Sequence, residues 1–128
     1  QHHSSAASDV YKRQIKQLTN SLVKNNILIL LSDQDAKKKG VKAKFFGIDS
    51  STHSGAAVLS KRNKSPIIYA SITQTHNIYE VQFVNIDTSG SIKDIVQQYT
   101  TEIEKTIINN PEQYFWFHKR WKSVRKYQ

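Results

Sequence analysis

The run Ile27-Leu28-Ile29-Leu30-Leu31, followed at once by Ser32-Asp33-Gln34-Asp35, sets the architecture that the rest of the chain has to fit. Five apolar residues without alternation imply a strand buried on both faces, the pattern of a parallel sheet covered by helices. Upstream, Ile15, Leu18, Leu22 and Val23 share one helical face. Asn25-Asn26 closes that helix, because Asn tolerates the left-handed cap. A helix leading into such a strand is half of a βαβ unit. Ligands in open α/β sheets sit outside the carboxyl ends of strands. Asp33 and Asp35, at i and i+2, are therefore placed to orient a substrate, hold a metal or cap the next segment.

Downstream, Ala36–Lys44 carries Lys37, Lys38, Lys39, Lys42 and Lys44 around Gly40. Such a run is a solvated loop that sets a positive field beside the two aspartates. Each lysine near an anionic leaflet is worth about 1 kcal/mol. Phe45-Phe46-Gly47 reads as a brief strand or an apolar plug. Ser50, Ser51 or Thr52 then caps a helix from Gly55 to Lys64. Its closing cations, Lys61, Arg62 and Lys64, suit the negative end of the helix dipole. Pro66–Thr73 and Tyr79–Ile86 predict two antiparallel strands joined by a short polar loop. Ser91 with Asp94 resembles a capping box, and Ile92, Ile95, Val96, Tyr99, Ile103 and Ile107 mark one helical face. These elements predict an α/β domain with a small mixed sheet flanked by helices.

The 128 residues are the size of one domain. The net charge is +9, from 19 basic against 10 acidic side chains. That balance favours anionic partners: nucleic acid, phosphorylated small molecules or an acidic membrane surface. The absence of cysteine excludes disulfides, thiolate metal sites and a Cys nucleophile. No run approaches the ~18 apolar residues of a membrane span, and no signal-peptide pattern is visible. Residues 1–14 are polar and unpatterned, with a bare His2-His3 pair. They read as disordered linker, tag or adapter sequence, which leaves residues 15–128 as the folded portion. No G-x-S-x-G elbow, phosphate-binding glycine loop, H-E-x-x-H pair, zinc-finger spacing or RNA-binding aromatic motif is present. No cofactor or metal is expected.

The densest chemistry lies in Asn110-Pro111-Glu112-Gln113-Tyr114-Phe115-Trp116-Phe117-His118-Lys119-Arg120-Trp121-Lys122. Pro111 suits a first helical position, and Glu112 and Gln113 suit the first turn. Two readings follow. A C-terminal helix docks its rings on the core and leaves its cations in water. Alternatively, the mixture of rings and cations faces an anionic headgroup or phosphate.

This stretch resembles the PEQY-W-H-[KR]-R-[WF]-K signature of the late acyltransferases of lipid A biosynthesis. Asp33-Gln34-Asp35 is similar to that family's D-x-D after a central strand. Phe45-Phe46-Gly47, with Thr52 and Gly55, is similar to its FFG-x-x-x-x-T-x-x-G segment. Ser65-Pro66-Ile67 stands where the family carries A-P-[IV]. The four blocks come in the family's order and cover roughly Ile15 to Lys122. The resemblance implies a partial glycerolipid-acyltransferase-like fold. It also implies transfer of a fatty acyl chain from acyl carrier protein to a lipid A precursor, at the cytoplasmic face of the bacterial inner membrane.

One block departs from the pattern. The family's catalytic H-x4-[DE] uses His as general base on the acceptor hydroxyl and an acid to orient it. The residues five positions after His2, His3, His53, His76 and His118 are Ala7, Ser8, Val58, Val81 and Ser123. None is acidic. The chain therefore resembles the C-terminal half of such an enzyme, carries no catalytic residue of its own, and is expected to be inactive alone. On the same resemblance, Asp33 and Asp35 border the acceptor pocket, with Gly47 and Thr52 in its matched segment. Lys42, Lys44, Arg62 and Arg120 are candidates for phosphate or carrier-protein contact, and Phe46 and Trp116 for the acyl chain.

Other readings stay open on the sequence. One is another membrane-associated acyltransferase of the superfamily, with a phospholipid or glycolipid acceptor. A second is a small basic nucleic-acid-binding module, which the missing DNA and RNA motifs disfavour. A third is a non-catalytic interaction domain using an open sheet edge.

Overall fold

A computed structural model describes residues 3–126, with no account of side chains before residue 13. The chain is mixed α/β, as expected. Among the described residues, three helices accompany two separate two-stranded antiparallel sheets. In order these are α1 (His3–Val23), β1 (Val41–Phe45), β2 (Ile48–Thr52), α2 (Gly55–Asn63), β3 (Ile67–Thr75), β4 (Ile78–Ile86) and α3 (Ile92–Asn109). Short 3₁₀ turns occupy Lys37–Lys39, Pro111–Gln113 and Trp116–His118.

The middle of the fold is α3. Ser91 accepts a bond from the Asp94 N–H, and the Asp94 carboxylate accepts from the Ser91 N–H. This reciprocal cap satisfies two of the donors at the helix start. The buried face is Ile95, Val96, Tyr99, Thr100, Ile103 and Ile107, close to the face read from spacing. Its first half packs with Ala43, Ala57 and Ile86, and its second half with Phe45. One helix thereby covers both hairpins. Two glutamines on it clasp strand backbone. Gln97 accepts from the Lys44 N–H and donates to the Lys44 carbonyl, at 2.8 and 3.0 Å. Gln98 does the same for Asp87, at 3.0 and 2.9 Å.

The β1–β2 hairpin pairs Phe45 with Ile48, so its loop is the two residues Phe46 and Gly47. Both have positive φ, 50° and 73°. A two-residue hairpin favours that geometry, because it matches the strand twist. Gly47 adopts it freely, whereas Phe46 is strained there. The Phe46 N–H donates to Glu104 Oε1 at 2.7 Å, and its ring stands edge-on to Phe45 at 4.8 Å. These contacts hold the strained turn and account for the Phe-Phe-Gly motif.

Three expectations are corrected. Ile27–Leu31 belongs to no strand or helix, and Ile27 is 89% exposed. Among the described residues no strand lies beside it and no parallel pair exists. An apolar run becomes a strand only where another edge meets its backbone groups. Ser50–Thr52 lies in β2 instead of capping a helix, and Ser54 is the residue before α2. Buried hydroxyls suit a strand when they are bonded, as Ser50 is to the Ala43 carbonyl at 3.1 Å. Helix α1 begins at His3, so part of the segment expected to be disordered is helical; Gln1 and His2 lie outside the described residues. As expected, β3 and β4 form a hairpin, with Ile67 opposite Ile86.

Candidate functional site

The segment after α3 is a staple, not a helix. Pro111 occupies the first position of a 3₁₀ turn, where its missing N–H is no loss. Gln113 clasps the N–H and carbonyl of Gln74 on β3, each at 2.8 Å. The Tyr114 hydroxyl donates to the Asp33 carbonyl at 3.1 Å. Trp116 folds back, its indole N–H on the Pro111 carbonyl at 2.7 Å. The Asp35 N–H donates to His118 Nε2 at 2.8 Å. Trp121 donates to the Phe45 carbonyl at 3.2 Å. One stretch thus ties both hairpins to the Asp33–Asp35 loop.

Arg120 is the centre of the staple. It is 2% exposed, the most buried cation described. Its Nη1 donates to the Ser51 carbonyl and its Nη2 to Thr52 Oγ1, both at 2.7 Å. The guanidinium lies 5.1 Å from the Phe45 ring centroid, close enough for a cation–π attraction. Tyr114 and Trp121 pack on the core as the docking reading expects, but one cation and two rings take the opposite places. Arg120 is inside, while Phe115 and Phe117 are outside, at 61% and 89% exposed. The cause is long range, since the acceptors for Arg120 lie in β2, which no local period reveals.

Of the two aspartates, Asp35 faces inward and Asp33 is only half-buried. Asp35 forms an isolated antiparallel bridge to Thr52, and its Oδ2 accepts from Ser123 Oγ at 2.5 Å. Asp35 Oδ1 and Arg120 Nε are buried without a hydrogen-bond partner. Buried polar atoms are costly to leave unpaired. Spatially, Asp33, Asp35, Thr52 and Arg120 come together. Lys42 and Lys44 stand on β1, both against half-buried Asp49, at 3.6 and 2.7 Å. The Lys44 hydrogen bond chiefly holds the Asp49 carboxyl below its usual range. Gly47 and Phe46 form the turn beyond, Arg62 is exposed on α2, and Trp116 stacks edge-on to Tyr114 at 4.9 Å. Two shallow clefts line α3, one beside Asn85 and Gln98, the other beside Tyr69 and Thr106; neither includes these residues.

Gln113, Tyr114, His118, Trp121 and Ser123 were not singled out for the site by sequence. Their clustering in one dense motif was the available signal. His118 accepts from the Asp35 N–H through a neutral nitrogen. Partial burial, and then Lys122, hold its pKa below the ordinary 6.5, against the opposite pull of Asp35 and Asp33. A histidine with a lowered folded pKa binds its proton more readily when unfolded. Stability is therefore complete above the ordinary imidazole range and falls as pH drops through that range. Urea midpoints between pH 7.5 and 5 should decline for the native chain and flatten for His118→Gln. Equal slopes would show that His118 does not carry this titration. The lowered carboxyls of Asp49, Asp87 and Asp94 change charge below that interval.

No helix among the described residues is long and apolar enough to cross a membrane. A protein-family model described as bacterial lipid A biosynthesis acyltransferase matches residues 4–123. No curated protein matches the chain.

Proposed function

Since the chain belongs to the bacterial lipid A biosynthesis acyltransferase family, we propose that it supplies the acceptor side of transfer of a fatty acyl chain from acyl carrier protein to a lipid A precursor. The observation that carries this reading is the staple's hold on the Asp33–Asp35 loop, from Tyr114, His118 and Ser123. A catalytic site needs its groups fixed within a fraction of an ångström, and such bonds provide that.

Within this reading the roles divide. The Asp33 carboxylate accepts a hydrogen bond from an acceptor sugar hydroxyl. Asp35, Thr52 and Arg120 form the support behind it. Lys42 and Lys44 offer point charges to acceptor phosphates, because exposed pairs with one carboxylate are weak and yield to a dianion. Arg62 suits the acidic surface of a carrier protein, and Phe46 and Trp116 suit the acyl chain. The general base comes from an H-x4-[DE] block, which this sequence lacks. The chain alone is therefore inactive, and it works at the cytoplasmic face of the inner membrane.

Equilibrium binding to a fluorescent phosphorylated lipid A precursor tests the reading. Asp33→Asn should weaken binding about 10-fold, the value of one charge-assisted hydrogen bond. Lys42→Glu with Lys44→Glu should weaken it further, and more at low salt. Affinities unchanged by all three substitutions would remove the acceptor role.

A further inference from the structure

We propose that the knuckle bearing Phe115 and Phe117 is a wedge that seats the protein on an anionic lipid bilayer surface. The geometry around it is unusual. Tyr114 and Trp121 pack against Phe45, and Arg120 is buried beneath that ring. His118 is tied to the Asp35 backbone. These anchors flank the two phenylalanines, whose rings lie 6.1 Å apart and point outward. Exposed rings on a flexible tail lose conformational freedom when they bind. Rings on a backbone pinned by neighbours on either side have already lost part of it, so more of their burial is retained as affinity.

Charge identifies the occupant. After Gln113 the chain has five basic residues and no acidic one. Lys122 and Arg125 are exposed just beyond the knuckle. The lysine turn Lys37–Lys39 is brought to the same neighbourhood. Asp35, two residues before it, is bonded to His118, and the Lys37 carbonyl accepts from Ser51, whose own carbonyl holds Arg120. Gly40 closes that turn against β2, where a Cβ would collide with Ser51 Oγ. Apolar rings rimmed by cations suit the boundary between acyl chains and anionic headgroups. The outer face of the β3–β4 hairpin is also apolar, with exposed Ile72 and Phe83, but its strands contain no cation.

This inference rests on the membrane setting of the proposed function, but its test uses no lipid A precursor. Co-sedimentation is measured with vesicles of phosphatidylglycerol and phosphatidylethanolamine, against phosphatidylcholine alone. The native chain should bind the anionic vesicles, and binding should weaken with salt. Phe115→Ser with Phe117→Ser should reduce partitioning at least about 10-fold, with an unchanged urea midpoint because both rings are exposed. Bromine on the acyl chains should quench Trp116 in the native chain and not in the double variant. Phe83→Ser should bind as the native chain does. Equal loss in Phe83→Ser, equal binding to phosphatidylcholine, or native partitioning by the double variant would overturn the proposal. So would tighter binding to duplex DNA through the same rings, or a dimer that these substitutions dissolve. A chain that binds vesicles as described yet ignores the phosphorylated precursor would sink the functional reading and leave the wedge standing.

Discussion

Arg120→Ala is expected to destabilise the domain by about 3 kcal/mol or more, a large share of a typical total. The guanidinium serves three neighbours at once: the Ser51 carbonyl, Thr52 Oγ1 and the Phe45 ring. Alanine leaves the Ser51 carbonyl with only the Ala36 N–H, at 3.1 Å, and Thr52 Oγ1 with only Ser50 Oγ, at 3.4 Å, and it opens a cavity under the ring. Each lost bond from the charged guanidinium costs about 1.5–3 kcal/mol. Arg120→Lys should recover little, because one ammonium lacks the planar fork that meets two acceptors. The check is urea unfolding followed by tryptophan fluorescence. With a slope of about 1–3 kcal/mol per molar, the midpoint should fall by more than about 1 M. An unchanged midpoint would mean that Arg120 is free to leave the interior, and would return it to the set of phosphate contacts.

Phe45→Ala should be at least as damaging, at about 3–5 kcal/mol. Phe45 is 0% exposed and lies at the end of β1, where the two halves of the fold meet. Phe46, Trp121 and Tyr114 surround it at 4.8, 5.3 and 6.2 Å between centroids. Removing the ring empties the space that Ile103 and Ile107 close from α3. The shared contact with Arg120 adds a second signature. In a double-mutant cycle the losses at Phe45 and Arg120 should sum to more than the double variant's loss, because each alone already breaks the pair. Additive losses would show that the cation–ring contact contributes nothing. Circular dichroism at 25 °C should find Phe45→Ala largely unfolded, whereas Phe45→Leu should remain folded.

What the sequence revealed was what is local. The face and cap of α3 follow from 3.6-residue spacing and a Ser/Asp pair three apart, both complete within one segment. The β3–β4 hairpin is equally local, since its strands are neighbours joined by two residues. The failures are non-local. Ile27–Leu31 has the composition of a buried strand, but pairing is a property of two segments, and no second one meets it among the described residues. Ser50 and Thr52 have the side chains of helix caps and of buried strand residues alike. Only the Ala43 carbonyl and Arg120, each from another element, decide between them. The C-terminal motif was legible as important and not as a shape. Its polar residues look solvated until Gln74, Asp35 and Ser51 are brought to them.

The central claim is that this chain holds the acceptor of a lipid A acyltransferase without supplying the base that activates it. Purified chain incubated with acylated carrier protein and a phosphorylated lipid A precursor, then resolved by mass spectrometry, tests both halves together. The account predicts precursor retained by the chain and no acyl group transferred to it. Acylated precursor above the level seen without protein, or no retention at all, would contradict the account.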